Sequence, residues 1–282
     1  MKLFVLDRDF HVKNKEGLHE IIKHLGISAT WSTSLQDLTP YDVVYSPSVP
    51  IDGSKWPQKK FLFGPHFGVY PSVFPTINSL SPLNSVYLQP SDWVRDLFAP
   101  HVRVPVHTFP FPVAIDKIPT VPSRPQTNKV LVYCKMRNPA HYTAAMDLLR
   151  ANGFDPIQIV YGSYKQVDFL SLLRAVRFAV WVGSHESQGF ALNEALASNT
   201  PVLVWNVRTL ADQWMGGRPA VPATTCAYWD RSCGEVFEAQ EAFQTTLDLF
   251  LLRLDTYEPR AFVERELSVA ACVARFQKLI QV

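Results

Sequence analysis

The sequence predicts an α/β protein of two domains with parallel sheets, joined by a proline-rich connection. Short apolar runs alternate with amphipathic helical stretches, prolines crowd residues 105–125 and interrupt that alternation once, and the alternation then resumes. Strand, loop and helix in repetition imply βαβ units, because strands joined through a helix run in the same direction. Of the 282 residues, 47% are hydrophobic and 18% charged, enough apolar material for two cores and the opposite of a disordered composition.

In the first half, Lys2–Leu6 reads as a buried strand and Glu16–Leu25 as a helix stopped by Gly26. Tyr41–Tyr45 and Lys60–Phe63 read as strands running into the turns Ser46-Pro47 and Gly64-Pro65. Val86–Gln89 is a further strand, and Ser91-Asp92 caps a helix through Leu97. Pro105, Pro110, Pro112, Pro119, Pro122 and Pro125 then exclude both a helix and a central strand, since proline fixes φ and lacks an N–H. The expected division is a first domain over 1–115, a linker over 116–128, a second domain over 129–260 and a C-terminal amphipathic helix over 261–282.

In the second half, Lys129–Cys134 reads as a strand and Ala140–Ala151 as a helix closed by Asn152-Gly153. Pro156–Tyr161 is a strand, Val167–Val176 a helix and Phe178–Val182 a strand. Phe190–Ala197 is a helix, Pro201–Trp205 a strand, and Ala261–Ile280 has the apolar spacing of one long helix. No internal repeat or low-complexity tract is present.

Charge, cysteines and termini narrow the function classes. A net charge of +2 lacks the basic excess of a dedicated nucleic-acid binder. Cys134, Cys226, Cys233 and Cys272 make neither a disulfide scaffold nor a C-x-x-C zinc pair, and read as reduced thiols. The opening apolar run is broken by Asp7-Arg8-Asp9, unlike a signal peptide, and no window approaches the ~20 apolar residues of a membrane span. The expectation is a soluble, cytoplasmic protein without an integral membrane segment.

The chemistry concentrates in Phe178–Trp205, a strand, a polar turn, a helix, the turn Asn199-Thr200-Pro201 and another strand. The polar turn stands at the carboxyl end of a parallel strand, where open α/β sheets bind ligands. Ser187, Gln188 and Gly189 open the helix, and a helix start offers unpaired N–H groups to a phosphate. Glu186 lies in the turn and Glu194 in the helix.

Glu186-x7-Glu194, Ala195 and Thr200-Pro201-Val202 resemble the E-x7-E signature of retaining GT-B glycosyltransferases of the glycosyl transferases group 1 type. The family pattern usually reads E-x-F-G-x4-E-A-x-A-x-G-x-P-V; here Gln188 replaces the aromatic and Asn199 the glycine. The resemblance covers Val132 to Pro201 and implies two Rossmann-like domains facing a cleft. It assigns Glu194 to the ribose of a nucleoside-diphosphate sugar and Glu186 to the transferred sugar. It sets Lys135 and Arg137 on the diphosphate with Ser187, Gln188 and Gly189, although the usual G-R-x4-K-G is absent. His66, in Gly64-Pro65-His66-Phe67-Gly68, resembles a first-domain histidine near the donor sugar, and Tyr164 could stack on the base. The bland alternatives stay open: solvated charges at Lys135, Arg137, Glu186 and Glu194, a structural His66, and a core or rim Tyr164.

The function so implied is sugar transfer from a UDP- or GDP-sugar to a glycan or other hydroxyl acceptor, retaining, metal-independent and with no tightly bound cofactor. The proline-rich stretch would serve as a hinge for closure. A non-catalytic nucleotide-sugar or glycan binder of the same fold, or a nucleotide-sugar epimerase, is the alternative.

Asp7-Arg8-Asp9 is a D-x-D after an apolar strand, the pattern of metal-dependent GT-A transferases and of haloacid-dehalogenase-type phosphatases. The first normally carries it after several strands; the second continues with a small residue, where Phe10-His11 stands here. There is no G-x-G-x-x-G and no Walker A motif. The stretch Gly183–Gly189 is not G-x-S-x-G, and His185-Glu186 lacks the second histidine of H-E-x-x-H.

Overall fold

Apolar residues fill both faces of the central strands, as parallel sheets covered by helices require. The structure, a computed structural model, describes residues 1–120 and 125–281; Pro122 and the middle of the expected linker lie outside them. The chain divides into two units, residues 1–112 with the chain from 267 on, and residues 113–266.

The first unit is built in order from β1 (Lys2–Leu6), α1 (Val12–Leu25), β2 (Ser28–Ser32), β3 (Val43–Ser46), β4 (Lys60–Phe63), α2 (Phe74–Asn78), β5 (Ser85–Gln89), α3 (Asp92–Phe98) and β6 (Val106–Thr108). The six strands run parallel in the order β2-β1-β3-β4-β5-β6. Phe4, Val44, Phe61, Phe63 and Tyr87 stack into one core. The α1 helix ends as expected: Gly26, at φ 61°, turns left-handed and donates its N–H to Ile22 and Lys23. The proline-rich stretch does carry a strand, β6, but it is three residues long and lies at the sheet edge, where a missing N–H does least harm.

The second unit contains β7 (Lys129–Lys135), α4 (Pro139–Ala151), β8 (Asp155–Val160), α5 (Gln166–Leu173), β9 (Phe178–Gly183), α6 (Phe190–Ala197), β10 (Val202–Trp205), β11 (Gly234–Phe237), α7 (Phe243–Leu252) and α8 (Pro259–Leu267). Its five strands are parallel in the order β11-β10-β9-β7-β8. The chain steps from β7 to β8 on one side and later to β9 on the other, so the strand order reverses between β7 and β9. Such a reversal separates the outgoing loops and opens a crevice at the strands' carboxyl ends.

The long C-terminal helix expected over 261–280 is two helices, α8 and α9 (Val269–Ile280). Ser268 between them is extended, and its side chain accepts the Ala271 N–H at 3.2 Å, a cap that starts a new helix. The α9 helix packs on α1 in the first unit.

Candidate active site

The β7 and β9 strands are in register at Lys135 and Gly183, so whatever follows both strands meets at the reversal point. Lys135 is the last residue of β7, and the chain leaves β9 through Ser184, His185 and Glu186. The Lys135 Nζ donates to Glu186 Oε1 at 2.7 Å, with the two side chains 15% and 13% exposed. The same ammonium lies 4.5 Å from the centroid of the Tyr161 ring, which follows β8. The Glu186 N–H donates to the Thr224 carbonyl at 3.0 Å, fixing the turn to a loop that follows β10. Burial pushes the Glu186 carboxyl above its usual range, and Lys135 opposes that shift.

The α6 helix sets the second carboxylate. Gly189 precedes it at φ 77°, a left-handed conformation, and a Cβ there would lie 3.3 Å from the Glu186 Cβ. Asn193 clamps the same turn, donating from its side chain to the Gln188 carbonyl at 2.9 Å and from its N–H to the Gly189 carbonyl. Glu194, one residue on, is 8% exposed. Tyr164 lies in the field of both carboxylates: burial first, then Glu194 and Glu186 among others, push its hydroxyl pKa up, with Tyr133 opposing. Its hydroxyl is 3.5 Å from that of Tyr133, which stacks on Trp181 at 3.9 Å.

Lys135 and Glu186 are thus in contact, and Tyr164 lies in the field of Glu186 and Glu194; none of the four is fully exposed. Ser187 is exposed, whereas Gln188 and Gly189 are buried. Arg137 is also buried. Its Nη1 donates to the carbonyls of Gly183 at 3.2 Å and Trp205 at 3.3 Å, tying together the ends of β9 and β10. Burial lowers its pKa, and its Nε is buried without a partner. In this state Arg137 is a strand-end clamp.

Three contributors escape sequence reasoning. Tyr161 shares a loop with Tyr164, but it is exposed and carries Lys135 over its ring, whereas Tyr164 packs on Tyr133 and Phe169. Thr224 comes from a loop with no motif. His185 sits against Ser184, Nδ1 to Oγ 3.2 Å; burial, then Lys135 and Arg218, lower its pKa to about 4.

His66 lies in the first unit, half-buried after β4, with its Nε2 3.0 Å from the Asn14 Nδ2. Burial, then the neighbouring His11, bring its pKa to about 4. Of the D-x-D residues, Asp7 is ion-paired with Lys15 at 2.5 Å, and Asp9, at φ 50°, accepts from Ser48 through its carbonyl. Among the described residues no group of three His, Cys, Asp or Glu is placed to hold a metal ion. Among them, too, no helix is long and apolar enough to cross a membrane.

Solved structures share this fold over the whole chain. The lipopolysaccharide outer core galactosyltransferase WaaB matches with a TM-score of 0.61 at 12% identity, over 99% of each chain. WaaG, a glycosyltransferase involved in lipopolysaccharide biosynthesis, matches with a TM-score of 0.55 at 10% identity, over 100% of each chain. AviGT4, a glycosyltransferase involved in avilamycin A biosynthesis, matches with a TM-score of 0.56 at 16% identity, over 99% of this chain and 97% of that one. Together with the two parallel-sheet units, these similarities make the fold GT-B, with two Rossmann-like domains. No protein-family model matches the sequence, and no curated protein does.

Proposed function

We propose that the chain transfers a sugar from a nucleoside-diphosphate sugar to a hydroxyl acceptor, with the donor held by the second unit. The observation that carries this reading is the Lys135–Glu186 pair at the β7/β9 reversal, with Glu194 on the helix that follows. A diphosphate needs a cation, sugar hydroxyls and a ribose diol need carboxylate acceptors, and a base needs an aromatic face. Lys135, Glu186, Glu194 and Tyr164 supply those four elements from strand-end positions and the α6 helix. Glycosyl transfer is also the chemistry of the proteins compared above.

On donor binding Lys135 exchanges Glu186 for the diphosphate, leaving the Glu186 carboxylate to accept from a sugar hydroxyl. Glu194 accepts from the ribose, and Tyr164 flanks the base. As the bond from the sugar to the diphosphate breaks, negative charge grows on the leaving group, where Lys135 and the amino end of α6 stabilise it. Arg137 keeps the ends of β9 and β10, and so the loops that carry the site, in place. Because Lys135 supplies the positive charge, the reading includes no metal; retention of anomeric configuration belongs to it through the E-x7-E resemblance. The acceptor, a glycan or another hydroxyl compound, is taken by the first unit.

A thermal-shift screen with UDP, GDP, ADP, CMP and their sugar conjugates tests this, using wild type and Glu194→Ala. Ligand at about 100 times its Kd stabilises by about 2.7 kcal/mol, a readable rise in Tm. One nucleotide raising the Tm of wild type and not of the variant supports the donor site. No shift with any diphosphate nucleotide at millimolar concentration overturns it. Acceptor-dependent release of nucleoside diphosphate then separates a transferase from a binder, and sugar interconversion without acceptor marks an epimerase.

A further inference from the structure

The His66 ring makes its hydrogen bond through Nε2, to the side-chain amide of Asn14 at 3.0 Å. Asn14 is the third residue of α1 and is 4% exposed. An amide nitrogen only donates. With the amide nitrogen turned to the ring, the contact assigns the lone pair to the His66 Nε2 and the single proton of the neutral ring to Nδ1. The surroundings keep the ring neutral. Burial and His11, whose ring centroid is 6.4 Å away, both oppose the imidazolium, and the amino end of α1 adds positive partial charge.

We propose that Asn14 is a positioning residue that holds His66 as the Nδ1–H tautomer, so that the ring meets a ligand as a hydrogen-bond donor and not as a proton acceptor. With Nε2 engaged, Nδ1–H is the one polar atom the ring has left to offer. It suits an oxygen acceptor, such as a hydroxyl oxygen of the sugar acceptor, and it cannot take that hydroxyl's proton. The tautomer stands on the Asn14 contact alone; the donor role toward a ligand rests on the transfer reading above. If His66 served as general base instead, its free nitrogen would have to be unprotonated, and the residue at position 14 would have to accept from the ring.

Long-range ¹H–¹⁵N correlation on protein labelled at its eight histidines reads the tautomer directly, with His66→Gln identifying the signal. The expected result at pH 7 is a protonated Nδ1 and an unprotonated Nε2 in wild type. Asn14→Asp, which only accepts, moves the proton to Nε2, and Asn14→Ala leaves a mixture. A wild-type ring protonated at Nε2, or an Asn14→Asp spectrum identical to wild type, overturns the assignment. Should Asn14→Asp fail to fold, the wild-type spectrum alone still decides. The functional arm measures acceptor-dependent nucleoside-diphosphate release from the nucleotide sugar selected by the thermal-shift screen. Asn14→Asp is expected to lower kcat/KM about tenfold while nucleotide affinity stays unchanged, the effect of losing one hydrogen bond to the ligand. A reversed tautomer with full kcat/KM refutes the donor role. No release by wild type refutes the transfer reading and leaves the tautomer decided by its own signal.

Discussion

Lys135 and Glu186 meet at 2.7 Å across the ends of two neighbouring strands, with less than a sixth of either side chain exposed. A pair so placed is held by mutual need. Each charge has lost much of its hydration: burial pushes the Glu186 carboxyl up, and Lys135 opposes it. Lys135→Met removes the cation beside a buried carboxylate, and the expected loss in stability is about 2–3 kcal/mol, below the range for a fully buried pair because some water reaches both groups. Lys135→Met/Glu186→Gln should recover most of that loss, giving a coupling that urea unfolding at pH 7 reads directly. Nucleoside-diphosphate binding should stay lost in the double variant. If it returned along with stability, Lys135 would have no part in the donor site.

Acid should destabilise the protein through His66 and His185. Both rings are lowered from 6.5 to about 4, so between those values the unfolded chain binds more protons than the folded one. Their contribution is complete above pH 6.5 and is lost as the pH falls toward 4. The urea midpoint should accordingly drop between pH 7 and pH 5, and His66→Gln and His185→Gln should each flatten part of that slope. Gln retains an acceptor for the Asn14 amide, so the first substitution tests the titration with little loss of packing. An unchanged slope in both variants would mean that neither ring is neutral in the fold at pH 5.

The strands of the second unit that position the candidate site were legible because burial on both faces makes them continuous apolar runs. Leu131–Tyr133 and Phe178–Val182 have no polar residue to confuse the pattern. The β2 strand, Ser-Ala-Thr-Trp-Ser, is half-buried at a sheet edge and carries no such run, so nothing in the sequence announces it. The break at Ser268 also escapes, because apolar spacing continues across it while the cap depends on one serine. Within the candidate site, Glu186, Glu194 and Lys135 could be singled out through the E-x7-E resemblance together with their places after strands and on a helix. The duty of Arg137 was not: a basic residue after a strand reads the same whether it faces solvent or caps the carbonyls of Gly183 and Trp205. The Asn14–His66 bond joins residues 52 apart, and no local pattern encodes it.

Gly189 offers a test that separates backbone strain from damage to the site. At φ 77° any side chain is strained, and a Cβ would additionally lie 3.3 Å from the Glu186 Cβ. Gly153, in the same unit, has φ 80° with nothing within 4 Å of the position a Cβ would take. Ala at either position therefore meets the same left-handed penalty, about 1–2 kcal/mol, and both variants should lose comparable stability in urea. Only Gly189→Ala pushes against Glu186, and because Asn193 clamps the turn through the Gln188 and Gly189 carbonyls, the carboxylate is the part that must give. Nucleotide-sugar affinity should consequently fall about tenfold or more in Gly189→Ala, the cost of one displaced charge-assisted contact, and stay at the wild-type value in Gly153→Ala. Calorimetric titration of both proteins with the same donor decides it. Equal affinities would mean that Glu186 does not touch the sugar, and the role given to it above would have to pass to another strand-end residue.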